Sequence, residues 1–153
     1  MTVHDQNILV LDFGAQYSQL IARRVREANV YSQILPYNAS AGQIRELNPR
    51  GIIFSGGPAS VNDPDSPRPD PKIFSLGIPI LGICYGLQII TIMNGGSVVR
   101  PDRREYGFAR ISHVPESQLF SGFSDGNQVW MSHGDSVASV PDGFAVTAST
   151  TNC

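Results

Sequence analysis

The run Asn7-Ile-Leu-Val-Leu-Asp-Phe13 is apolar, rich in branched side chains and closed by Gly14, the pattern of a strand buried on both faces. From Tyr17 to Ala28 the period changes. Leu20, Ile21, Val25 and Ala28 recur at helical spacing, while Arg23, Arg24, Arg26 and Glu27 fall mostly on other faces, which predicts an amphipathic helix. A second strand is expected over Tyr31 to Pro36, a weaker helix over Ala41 to Leu47 and a short buried strand over Gly51 to Phe54. The five prolines and three aspartates between Pro58 and Pro71 exclude regular structure and predict a surface loop. Ile80 to Ile83 then reads as a strand and Tyr85 to Met93 as the helix that follows, stopped by Asn94-Gly95-Gly96. This β-α-β-α-β alternation predicts an open, mostly parallel sheet flanked by helices. Beyond Ser97 the pattern shortens to extended pieces near Ser97 to Arg100, Ala109 to His113, Gln128 to Met131 and Phe144 to Ser149, expected to add antiparallel strands.

The chain has 153 residues, enough for one core, and 41% hydrophobic content excludes an extended disordered polymer. A formal net charge of −2 gives no electrostatic case for nucleic acid or an acidic membrane surface as partner. Charged residues make up 16%, below the usual level of about 25%, as expected of a domain that is part of something larger. Two cysteines, Cys84 and Cys153, are too few for a disulfide framework, and neither lies in a Cys-x-x-Cys metal spacing. The segment Met1 to Gln6 lacks a signal-peptide pattern, so a cytoplasmic location is expected. The uncharged run Ile73 to Val99 is long enough to suggest a membrane span, but its glycines, Pro79 and Asn94 favour a strand, turn and helix instead.

The candidate chemistry centres on Gly82-Ile-Cys-Tyr-Gly86, which lies between a predicted strand and a predicted helix. It resembles a nucleophile elbow with sulfur in place of oxygen. The glycines permit a sharp turn with close backbone approach, and the positive end of the next helix favours a Cys84 thiolate. An ordinary buried core thiol is the alternative reading of Cys84. Ser55-Gly-Gly-Pro58 follows another parallel strand, so it reaches the same carboxyl edge of the sheet. Its amides, together with the N–H of Tyr85, could form an oxyanion hole, although a plain Gly-Gly-Pro turn fits the same letters.

These stretches together resemble the class I glutamine amidotransferases: Cys84 within Gly82-Ile-Cys-Tyr-Gly-Leu-Gln88, preceded by Ser55-Gly-Gly-Pro58. Leu11-Asp-Phe-Gly-Ala-Gln-Tyr17 running into Ala22-Arg-Arg-Val-Arg26, with Arg104-Glu-Tyr-Gly-Phe108 and Val129-Trp-Met-Ser-His-Gly-Asp135, narrows the resemblance to the glutaminase domain of GMP synthetases. The resemblance implies a flavodoxin-like α/β domain over residues 7–153. Cys84 would attack the glutamine amide and form a γ-glutamyl thioester, with the amides of Gly57 and Tyr85 facing the oxyanion. Gln88 would contact substrate. Ser132, His133, Gly134 and Asp135 would form a loop lining the glutamine pocket, with Asp135 suited to the α-ammonium.

The family completes a Cys-His-Glu triad with a His-x-Glu pair, and none occurs here, where the histidines are His4, His113 and His133. The domain is therefore expected to be incomplete at its C-terminal end and inactive alone. None of the three matches the family position of the base. The family's ATP-pyrophosphatase and dimerisation domains are likewise not represented, and Ser55-Gly-Gly-Pro58 is not the Ser-Gly-Gly-x-Asp loop of the former. The resemblance implies no cofactor for the glutaminase step, and ATP with Mg for a synthetase domain that turns XMP into GMP within an enzyme expected to be a homodimer. Two other readings stand beside it. One is a non-catalytic, glutaminase-like regulatory module. The other is the glutaminase component of anthranilate or carbamoyl phosphate synthesis, against which the segment Trp130 to Asp135 argues.

Overall fold

The computed structural model describes residues 6–100, 105–114 and 117–153, with Glu105 and His133 described by their backbones alone. The first half runs β1 (Asn7–Asp12), α1 (Ser18–Glu27), β2 (Tyr31–Pro36), α2 (Ala41–Leu47), β3 (Gly51–Phe54), a 3₁₀ turn (Pro71–Ser75), β4 (Ile80–Gly82) and α3 (Tyr85–Met93). All four strands are parallel and lie in the order β2-β1-β3-β4, as expected for a flavodoxin-like sheet. The bounds of β2, α2, β3 and α3 coincide with those read from the sequence.

Leu9, Leu11, Ile52 and Phe54 of the central strands are fully buried with Ile44 of α2 and Ile89 of α3. At the carboxyl end of the sheet the Phe13 ring packs 5.3 Å from Phe54, 5.5 Å from Tyr85 and 5.7 Å from Tyr37, centroid to centroid. This aromatic layer ties the ends of β1 and β3 to the start of α3.

Local chemistry sets the ends of α2. Ser40 and Gln43 form a reciprocal capping box, and Asn48 closes the helix in the left-handed conformation. Asp70 accepts from the amides of Ala41 and Lys72, and these bonds hold its carboxyl below the usual range.

Two expectations change. In α1 Ser18 and Ala22 are buried and Ile21 and Val25 of the expected stripe are half-buried beside them, while Leu20 and, just past the helix, Ala28 are exposed, so the packed face is shifted to one side of the apolar stripe read in the sequence. The proline-rich segment is not a plain surface loop. Val61 and Ser66 are buried in it, the Tyr85 hydroxyl donates to the Pro67 carbonyl at 2.6 Å, and its last residue, Pro71, starts the 3₁₀ turn. Proline removes the amides that a sheet would need, but it does not stop the segment from folding back on the core.

The second half contains β5 (Ser97–Val99), β6 (Glu105–Arg110), β7 (Ser112–His113), a 3₁₀ turn (Gln118–Phe120), β8 (Gln128–His133), β9 (Ser136–Ser139) and β10 (Ala148–Ser149). They form three antiparallel pairs, β5 with β9, β6 with β8 and β7 with β10. Strand β9 is additional to the expected pieces, and the stretch expected from Phe144 shrinks to Ala148–Ser149. Among the described residues no helix is long and apolar enough to cross a membrane; the uncharged run is divided among a 3₁₀ turn, β4, α3 and β5.

Candidate active site

The crevice outside the carboxyl ends of parallel strands is where such sheets place ligands. Here the segments after β3 and β4 meet there. Ser55 is fully buried: its hydroxyl oxygen accepts from the Phe13 amide at 3.0 Å, and its own amide donates to the Leu11 carbonyl. The next residues are thereby fixed to β1. Gly57 passes so close to Phe13 that a β-carbon would stand 2.5 Å from the Phe13 carbonyl oxygen. A β-carbon on Gly56 would lie 3.6 Å from that of Cys84, which places the glycine turn beside the thiol.

Cys84 sits at the turn from β4 into α3 with φ 49° and ψ −111°. A residue other than glycine held at positive φ costs about 1–3 kcal/mol and persists only where its surroundings impose it. The imposing contacts are the Ile83 amide on the Phe54 carbonyl at 3.0 Å, the Gly86 amide on the Ile83 carbonyl at 2.9 Å and the Gln88 amide on the Cys84 carbonyl at 3.1 Å. Gly82 and Gly86 have no room for side chains against Leu87 and Phe54. The nucleophile-elbow geometry expected from the sequence is present.

The side chain of Cys84 is exposed at the cavity, yet enough protein surrounds it that burial pushes its thiol up. Burial thus opposes the thiolate that the helix end was expected to favour. A nine-residue helix contributes a partial positive charge at its N-terminus that favours the anion, whereas desolvation disfavours it.

Cys84 opens onto a cavity of about 370 Å³. Gly57, Tyr85, Gln88, Ser132, Gly134 and Asp135 line the same cavity, so the structure brings these sequence-predicted residues together. The stretch 132–135 is not all loop: Ser132 and His133 end β8, and the turn is confined to Gly134 and Asp135 before β9. The His133 side chain and His4 lie outside what is described. His113 stacks on Phe120 at 5.0 Å and does not line the cavity.

Asp135 is buried, with 7% of its surface exposed. Its carboxylate accepts from the Ser60 hydroxyl at 2.5 Å and from Arg100 Nε at 3.4 Å, and its main-chain carbonyl accepts from Gln88 Nε2 at 3.0 Å. Gln88, expected to contact substrate, thus also fixes the Asp135 turn. Ser60, Asp63 and Arg100 line the cavity without having been read from the sequence, and Tyr106 appeared there only inside a longer motif. Ser60 follows the quoted glycine turn by two residues, whereas nothing in the sequence marks Arg100. Among the described residues no cluster of side chains could hold a metal ion.

A family model described as glutamine amidotransferase class-I matches residues 9–153. A "GMP synthase [glutamine-hydrolyzing]" from Halothermothrix orenii is 60% identical over 147 residues, covering 95% of this chain and 29% of that protein. One from Acetivibrio thermocellus is 54% identical over 151 residues, covering 99% of this chain and 30% of its own length. The chain thus spans less than a third of these curated relatives. Among solved structures, a putative GMP synthase subunit from Thermoplasma acidophilum superposes with a TM-score of 0.84 at 29% identity, covering 97% of this chain and 74% of that one. A glutamine amidotransferase from Thermotoga maritima, at 20% identity and a TM-score of 0.72, shares the fold over 95% of this chain and 67% of its own. With the family model matching from Leu9 to the last residue, the chain belongs to the class I glutamine amidotransferases.

Proposed function

We propose that this chain is the glutamine-hydrolysing part of a GMP synthase, with Cys84 as nucleophile. The observation that carries the reading is the position of Cys84: held at positive φ on a strand-to-helix elbow, it shares one cavity with the buried carboxylate of Asp135. Cys84 Sγ attacks the side-chain amide carbon of glutamine as its proton passes to a base. The oxygen becomes an anion facing the amides of Gly57 and Tyr85. Tyr85 is the first residue of α3, where N–H groups have no intrahelical acceptor, and so its amide suits that role. Collapse of this intermediate breaks the C–N bond, releases ammonia with the returned proton, and leaves a γ-glutamyl thioester that water opens to glutamate.

Asp135 receives the α-ammonium, Gln88 supports that end of the pocket, and the segment from Ser132 through His133 to Gly134 lines the glutamine pocket beside it. The family's His-x-Glu base is not among these 153 residues, so the chain alone is expected to release little glutamate. In the intact enzyme the ammonia passes to a synthetase portion that uses ATP and Mg to convert XMP to GMP, and the glutaminase step itself takes no cofactor. A cytoplasmic, homodimeric enzyme is part of the same proposal.

The test uses a full-length GMP synthase carrying this domain. Gly57→Val should depress GMP formation from glutamine on the order of 100-fold or more, and leave formation from added ammonia near the parent rate. Undiminished GMP formation from glutamine would reject the assignment of Gly57 to the glutaminase step, whereas equal loss with both nitrogen donors would indicate a folding defect.

A further inference from the structure

We propose, resting on the reading that Asp135 receives the glutamine α-ammonium, that Ser60 is the positioning residue that fixes the Asp135 carboxylate in the pocket. Ser60 and Asp135 are 9% and 7% exposed and lie 75 residues apart, so their 2.5 Å hydrogen bond joins the segment after β3 to the turn after β8 at the cavity wall. The direction of the bond is determined. The Ser60 oxygen accepts from the Asn62 amide at 3.3 Å, and a carboxylate only accepts, which leaves the single hydroxyl hydrogen for Asp135 Oδ2. The Ser60 amide donates to Asp63 Oδ2 at 3.3 Å, so the donor is itself held by its own turn.

Each oxygen of the Asp135 carboxylate is thereby addressed separately, Oδ2 by Ser60 and Oδ1 by Arg100. These two of its partners differ in kind. The Arg100 side chain is 61% exposed, with a 3.4 Å approach, and fixes little against solvent competition. The Ser60 contact is buried and charge-assisted, the type that sets orientation. Ser60 also follows Gly57 by three residues on the same segment, so one stretch of backbone carries the proposed oxyanion amide and the group that orients the ammonium acceptor. Ser60 touches neither the reacting amide nor the thiol; it acts through Asp135.

The experiment measures saturable alkylation of Cys84 in the 153-residue chain by a chloroketone analogue of glutamine. Cys84 Sγ forms a C–S bond as chloride leaves, and the thiol proton passes to solvent. Iodoacetamide, which has no α-ammonium, is the parallel reagent. Ser60→Ala should raise the half-saturating chloroketone concentration about tenfold, with the maximal rate and the iodoacetamide rate unchanged. Ser60→Thr, which keeps the hydroxyl, should restore most of the difference. Asp135→Asn separates the two claims. If it weakens chloroketone saturation while Ser60→Ala does not, the positioning role is wrong. If Asp135→Asn itself has no effect, the reading of Asp135 fails first and the role of Ser60 falls with it. A slowed iodoacetamide reaction in Ser60→Ala would also overturn the proposal, because it would report a collapsed site.

Discussion

A side chain on Gly86 would run into the main chain of Phe54, its β-carbon only 2.7 Å from the Phe54 carbonyl carbon. The first turn of α3 therefore lies directly on the end of β3, and this contact brings Cys84 beside the Gly56-Gly57 turn. Gly86→Val should lower stability by about 1–3 kcal/mol or prevent folding, because backbone on both sides cannot yield as a side chain would. Gly42 makes the contrast. It lies in α2 and is exposed, and the nearest atom to a β-carbon there is Ser40 Oγ at 3.7 Å. Gly42→Ala should stabilise by roughly 0.5 kcal/mol. Urea unfolding of the two variants checks both signs.

The raised Cys84 thiol has a direct kinetic consequence. Only the thiolate alkylates, so the iodoacetamide rate at Cys84 should keep rising with pH beyond about 8.5, where an unperturbed thiol is half ionised. The sign follows from burial, which disfavours the anion and therefore favours retention of the proton. Peptide-resolved rates from pH 6 to pH 10 measure this; half-maximal reactivity below about 7.5 would mean that the helix end outweighs desolvation.

Tyr85 contributes a side chain as well as an amide. Its hydroxyl bond to Pro67 fastens the proline-rich segment over the core, while its ring packs against Phe13. Tyr85→Phe should keep the ring contact and lose about 1 kcal/mol through the unpaired carbonyl and the missing bond. The signature is local: limited proteolysis between residues 60 and 70 should accelerate more than global unfolding does.

The first half of the fold was legible because its signals are local. Strand β3 is a four-residue apolar run, and α3 ends at Asn94-Gly95. The elbow was legible for the same reason, since its glycines adjoin Cys84. Beyond Ser97 the strands are held by partners 18 to 42 positions away, as in Arg110 with Gln128 and Ser97 with Ser139, and β9 carries only Ser-Val-Ala-Ser as its own signal. The packed face of α1 was only partly legible because it depends on what surrounds each residue. Ser60 and Arg100 escaped notice for a related reason: their meaning lies in Asp135, and only the folded chain brings the three together.

The central claim, a glutamine site built on Cys84, is tested most directly by mapping where a chloroketone analogue of glutamine attaches to the purified chain, with and without glutamine present. The account predicts modification at Cys84 and not at Cys153, slowed in a saturable way by L-glutamine and unaffected by an equal concentration of a dicarboxylic acid without an α-amino group. Equal labelling of the two cysteines, or labelling of Cys84 that glutamine does not slow, would contradict it.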